Sequence, residues 1–350
     1  MPIRGIILLS IRQQNILKFI IIQYTNTVLP VGSEYIAQNA KLNVSPATIR
    51  KELIELESNG YITRPHTSAG SIPLDKGYRF YVENAEKLSL KQSITSDEKN
   101  FVLNQLSQAS QDLETFVAYS VETLAGLVGN MAIVTIPKYK VPKIQYLQLI
   151  PLKGVFVVLV LVLEHNDVRQ KLVRLNSVVD SINLQLISNT LNNYLIGLTL
   201  KEIKSKEILI DNISNLIISD VIDILKEEEL AKSYDHKIDG LLNLINQPEF
   251  TENTMFRTIL QEIENGTLVR SVLAEISDST EVVKVIIGQE IRKDDVLPLS
   301  LVIANYGIPN YVTGSLCAIG PTRMQYRKTI DGVQFMASAM SESMQSTLHF

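Results

Sequence analysis

The sequence predicts an α+β protein of two or three domains. Length sets the domain range, because 350 residues exceed what one core usually organises. Residues 10–24, 33–40, 45–59, 74–82 and 98–129 read as helices, whereas 144–151, 155–163 and 168–175, then 283–288, 299–305 and 314–319, read as strands. Between the two strand groups lies a charged, helical middle at about 198–270. That order suggests one α+β domain around a central sheet, interrupted by an insertion and preceded by a helical head.

The head is the most legible part. In residues 10–24, Ile16, Phe19, Ile20 and Tyr24 share one helix face. Val28-Leu29-Pro30-Val31-Gly32 breaks that helix, and Ser33 is placed to cap a second one carrying Ile36, Ala37 and Ala40. Leu42-Asn43-Val44 turns the chain into a third. There Ser45 is the expected N-cap, Pro46 takes the first helical position, and Ile49, Leu53 and Leu56 form an apolar stripe. Asn59-Gly60 ends it. Tyr61 to Arg64 then reads as a short strand, Pro65 to Gly70 as a turn, and Ser71-Ile72-Pro73 as the returning strand. Helix, turn, capped helix and small hairpin together make a winged helix-turn-helix, a reader of double-stranded DNA.

Past the wing, Leu74–Val82 reads as a helix whose Tyr78, Phe80 and Tyr81 are expected to pack head against body, since a duplex offers no unstacked bases. Leu88 to Asp97 is polar and serine-rich, the best linker. One long helix or two in tandem span 98–129. His165-Asn166-Asp167 makes a tight turn between strands, and Asp180 caps a helix reaching about Leu195. A final helix runs from about Asp331.

Composition narrows the chemistry. With 45% hydrophobic and 20% charged residues the chain can bury sizeable cores. Residues 1–90 hold ten Lys/Arg against seven Asp/Glu, so the net −4 comes from the remainder: a basic head on an acidic body. Cys317 is the only cysteine, which removes disulfide and thiolate-metal frameworks and suits a reducing, cytoplasmic setting. Its expected state is a buried thiol. Ile6-Ile7-Leu8-Leu9 is too short for a signal core, and the nine-residue run Val155–Leu163 is half a membrane span. The four histidines, 66, 165, 236 and 349, have no metal-ligand spacing, and no phosphate loop or nucleophile elbow occurs. Glu227-Glu228-Glu229 reads as a solvated helix face. No catalytic residue, cofactor or metal ligand emerges.

The head residues have another use. Ser45, Thr48, Arg50 and Lys51 open the third helix, the part that enters a major groove. Arg50 has no carboxylate at helical spacing to hold it and is free to fork onto a guanine. Lys51 is divided between groove contact and a surface pair with Glu55. Arg64, His66, Thr67 and Lys76 are expected on phosphates, giving register and salt dependence without sequence information.

Blocks at both ends carry a resemblance. PVGS (30–33), SPATIRKEL (45–53), GYITRPHTSAG (60–70), IP (72–73), DKGYRFYV (75–82), NQPEF (246–250) and IGPTRMQY (319–326) resemble the heat-inducible transcription repressor HrcA family over nearly the whole length. The resemblance implies a repressor of chaperone operons that binds an inverted repeat, CIRCE, as a homodimer and is modulated by the GroEL chaperonin. It also implies an architecture: a winged-helix domain at 1–88, a GAF-like domain at 98–197 and 271–350, and an inserted α/β dimerisation domain at 198–270. Two positions depart from the family pattern: Lys51 stands where asparagine is common, and Ser71 where arginine is common. The alternatives are a winged-helix regulator switched by a small molecule in the GAF-like domain, or an enzyme with an accessory head.

Overall fold

The computed structural model describes residues 9–66, 69–84, 94–109, 112–139, 142–164, 168–206, 211–230, 235–250, 253–277, 282–291, 298–309 and 311–347. They divide into two compact units. The first comprises 1–137, 235–308 and 314–350, and the second 138–234 with 309–313.

The first unit opens with α1 (Ile11–Thr27), started by a capping box in which Ser10 and Gln13 bond reciprocally. It ends at Val28, whose φ of 59° places a β-branched residue in the left-handed region. Then follow α2 (Ser33–Asn39) and α3 (Pro46–Ser58). Ser33 is not the cap expected of it. Gly32 holds that position without a side-chain bond, and the Ser33 hydroxyl accepts instead from Arg50 Nε at 3.3 Å. Ser45 does cap α3, accepting from the Thr48 amide at 3.3 Å. Ile16, Ile20, Ile36, Ile49 and Leu56 are fully buried, so the three helices share one core.

The wing is β1 (Ile62–Thr63) against β2 (Ile72–Pro73), with Ile62 opposite Pro73, and Val31 bridges Ser71 beside it. Leaving the wing, α4 (Asp75–Glu83) starts so close to it that a Cβ on Gly77 would lie 2.4 Å from the Tyr61 carbonyl. Only glycine permits that approach. The wing tip at 67–68, most of the linker and the turn at 165–167 lie outside the described residues. The linker nevertheless ends sooner than read, because α5 (Ser96–Ala109) begins inside it.

After α5 come α6 (Leu113–Val128) and β3 (Met131–Thr135). The two tandem helices are therefore separate. The chain then passes through β4 (Lys138–Tyr139), β5 (Ile144–Pro151), β6 (Phe156–Leu163), β7 (Val168–Arg174), α7 (Ser181–Leu195), α8 (Leu200–Ser205) and α9 (Asn212–Leu230). It continues with β8 (His236–Asp239), α10 (Leu241–Ile245), α11 (Asn253–Glu264), α12 (Thr267–Ser277), β9 (Val283–Ile287), β10 (Leu299–Ile308), β11 (Val312–Pro321) and α13 (Tyr326–Thr347). The last helix starts five residues before the expected Asp331.

The strands do not build one central sheet. The body of the first unit is an antiparallel sheet in the order β8-β3-β11-β10-β9, with α13 on β10 and α6 on β3. Its central strands β10 and β11 are buried almost residue by residue, as strands covered on both faces must be. In the second unit β5-β6-β7 form a meander of their own. Short connections let neighbouring strands pair locally, whereas β3 finds β11 from the far end of the chain. The second compact unit takes in 138–234 and 309–313, and so overlaps only part of the 198–270 read from charge and helicity.

One face of the meander packs on α7. Leu147, Leu149, Leu159, Leu161, Leu184 and Leu191 are buried in a single cluster. The edge strand β5 is closed by α7 side chains: Asn192 accepts from the Leu147 amide and donates to its carbonyl, both at 2.8 Å, and Ser188 accepts from Leu149. On the opposite edge Arg169 is paired with Glu228 and Lys171 with Asp220, both from α9. Glu228 is therefore held by an arginine, not merely solvated.

Candidate nucleic-acid interface

The exposed side of α3 presents Ala47, Arg50, Lys51 and Ile54, spaced so that they share one face. Opposite them Ile49, Leu53 and Leu56 are buried. A rigid helix with one side anchored and the other open has the geometry of a groove-reading element.

Ser45 and Thr48 tie their hydroxyls together at 3.1 Å, and Ser45 also caps the helix. These two set where α3 starts and how its first turn points. Arg50 donates to Ser33 and pairs with Glu34 Oε1 at 3.3 Å. The carboxylate absent at helical spacing is supplied by α2, sixteen positions earlier in the chain. Both partners are exposed, at 62% and 74% of their side chains, so the pair is screened and weak. Lys51 does not take Glu55, which accepts from Gln13 of α1 at 2.7 Å. Among the described residues Lys51 alone of the four named cations makes no bond, and it lies in a groove lined by Ser10, Arg12, Thr48 and Glu52.

The wing cations are more committed. Glu57 grips Arg64, whose Nε donates at 2.9 Å, and that hydrogen bond raises the already high arginine pKa. Lys76 donates to the Asn59 carbonyl at 2.8 Å, closing the end of α3, and lies 4.4 Å over the Tyr61 ring. His66 is exposed and its carbonyl anchors the turn through Ala69. Thr67 lies outside the described residues. Ser71 is buried with both backbone groups bonded to Val31, so this position faces the hairpin's packing and not an open phosphate track.

Sequence reading missed the partners that hold α3 in place. Arg12 pairs with Glu52 at 3.1 Å and Gln13 with Glu55, lashing α1 to the recognition helix. It also left open why two distant blocks match one family. DKGYRFYV and GPTRMQY meet where head joins body. Tyr78 packs on Tyr326 with ring centroids 5.6 Å apart, Arg79 donates to the Val285 carbonyl at 2.8 Å and pairs with Glu290, and Asp75 accepts from the Gln289 amide at 3.0 Å. Arg323 reaches the Thr25 carbonyl at 3.0 Å. Burial pushes the Tyr78 and Tyr326 hydroxyls well above the usual tyrosine range, so both stay neutral. The aromatic and charged residues of both blocks, with no chemistry of their own, were the available signal of a packing junction.

An open recognition helix, a wing and an α+β body define a winged-helix DNA-binding protein. Comparison with known proteins extends this. Residues 35–73 match the DeoR-like helix-turn-helix domain, and 114–330 match the family described as HrcA protein C terminal domain. A heat-inducible transcription repressor HrcA of Dehalococcoides mccartyi is 34% identical over 95% of both chains, and one of Pelotomaculum thermopropionicum is 33% identical over the same shares. The chain belongs to the HrcA family of heat-inducible transcription repressors. A crystal structure of a hypothetical protein shares the fold, with a TM-score of 0.61 at 23% identity, covering 97% of this chain and 100% of that one. Among the described residues no helix is long and apolar enough to cross a membrane.

Proposed function

We propose that this repressor acts in the cytosol on chaperone operons, binding a CIRCE-type inverted repeat as a homodimer, with GroEL modulating the active fold. The observation that carries the DNA half is the open face of α3, where Arg50 and Lys51 stand beside the wing on a helix buried along its other side. Arg50 is the base reader in this proposal, Lys51 a second groove contact, and Arg64, His66, Thr67 and Lys76 the phosphate contacts. The helix start at Ser45 and Thr48 sets the angle of approach.

An inverted repeat demands two heads related by a twofold axis. The outward face of the meander supports a second copy as the partner. Its rows read Tyr146–Val162–Val168, Gln148–Val160–Gln170 and Ile150–Val158–Leu172, apolar except for uncharged glutamines. Leu172 on this face is 61% exposed, and Tyr146, Ile150 and Val168 are exposed beside it. Apart from Arg174, which stands opposite Phe156 at one end, this face carries no charge to repel a second copy.

Fluorescence anisotropy on the inverted repeat and on a scrambled duplex, at fixed salt and with or without chaperonin and ATP, tests the proposal. The expected result is selective binding that chaperonin strengthens. Arg50→Ala should weaken operator binding ~10-fold or more, equivalent to a lost arginine–guanine fork, with a smaller loss on the scrambled duplex. Equal losses on both would remove Arg50 from base reading. Leu172→Lys should convert the dimer to a monomer in sedimentation; a persistent dimer would place the interface elsewhere.

A further inference from the structure

Two guanidinium groups on the DNA face already rest on carboxylates of the same head. Arg50 is held by Glu34 from α2, and Arg64 by Glu57 from the last turn of α3. The Arg50–Glu34 pair contributes little to the fold, whereas the Arg64–Glu57 pair is more enclosed. Glu34 is largely exposed, and exposed ion pairs contribute little to stability. Their effect therefore falls on binding. A carboxylate and a phosphodiester each offer a guanidinium an anion with two oxygen acceptors, so they compete for the same donors.

We propose that Glu34 and Glu57 are internal stand-ins for phosphate that hold Arg50 and Arg64 off arbitrary duplex, and that Glu34, whose arginine alone reads a base, is the specificity determinant. On random DNA an arginine that leaves its carboxylate gains a phosphate, an exchange of like for like. The abandoned carboxylate then sits within reach of the same strand and repels it. The arginine stays paired, and the contact is not made. On the operator, Arg50 gains a guanine edge whose two acceptors match the fork in position, in addition to the phosphates of the groove, and the exchange goes forward. The inference rests on the reading that α3 and the wing face DNA.

The test is anisotropy on operator and random duplexes across a salt series, using the full chain and three variants. Glu34→Gln and Glu57→Gln remove the competing charges. Glu122→Gln removes the same charge from the exposed surface of α6, away from the head. The first two should tighten random-duplex binding by roughly three- to tenfold; Glu34→Gln should gain less on the operator, so that selectivity falls, whereas Glu57→Gln should gain equally on both. Each should also steepen the slope of log K against log salt on random duplex by about 0.9, one added phosphate contact. A purely structural role for either glutamate would change stability without touching that slope. The inference is overturned if wild type selects the operator and both variants leave random-duplex affinity and slope unaltered. It is equally overturned if Glu122→Gln reproduces the effect, since net charge alone would then account for it. A wild type that binds both duplexes alike overturns the proposed function first, and this inference with it.

Discussion

Cys317 sits within β11, opposite Ile133 of β3 and wholly buried. Burial pushes its thiol far above the usual range, so almost no thiolate forms at neutral pH. Native protein treated with iodoacetamide at pH 8 should therefore stay unlabelled over the time in which urea-unfolded protein gains one adduct, as read by intact mass. Labelling of the native state at the rate of an exposed thiol would show that this strand opens. Burial of this kind was legible, since an isolated cysteine in an apolar strand has few other fates. Pairing between distant surface groups was not. The neighbours of Arg50 along its own helix said nothing of Glu34, which a different helix brings across, and the Glu227–Glu229 run said nothing of Arg169. Periodicity reports which face a residue occupies, not what meets it there.

At the scale of elements, α4 joins the recognition domain to the body, and Gly288 is where the body receives it. Its φ is +51°, and a Cβ there would lie 2.2 Å from Asp75 Oδ2. Asp75 in turn accepts from the Gln289 amide. Gly288→Ala should destabilise by about 1–3 kcal/mol, combining left-handed strain with displacement of that carboxylate. A double-mutant cycle in urea separates the two. With Asp75→Ala already present, the added loss from Gly288→Ala should shrink to the backbone strain alone; full additivity would show that the side chains do not meet. Helices were the easier elements to read because caps and breakers mark them locally, as at Ser45, Asp180 and Gly129. Three strands were overlooked: β4 has only two residues, and β3 and β8 escaped for opposite reasons. β3 is five residues buried on both faces, directly after a helix, and β8 (HKID) is a polar edge strand without apolar alternation.

The whole molecule is a body interrupted at a hairpin. The chain leaves the first unit after β3 and returns at β8, and those strands are neighbours: Thr135 is opposite His236, and the Ile136 amide donates to the Asp235 carbonyl. Everything between them has its own hydrophobic cluster, confined to residues 144–225. An excision at 198–270, the span suggested by charge, would instead strip α8 and α9 from that cluster and β8 from the body sheet. Replacing 137–234 with Asn-Gly should leave a protein that folds, because a two-residue turn closes antiparallel strands already in register. Circular dichroism should show one cooperative urea transition, and loss of that transition would mean the body depends on the inserted unit. If the meander face joins two copies, the shortened protein should sediment as a monomer and bind the inverted repeat no better than a single half-site. A shortened protein that still sediments as a dimer would place self-association in the first unit, and Leu172 would have no part in it.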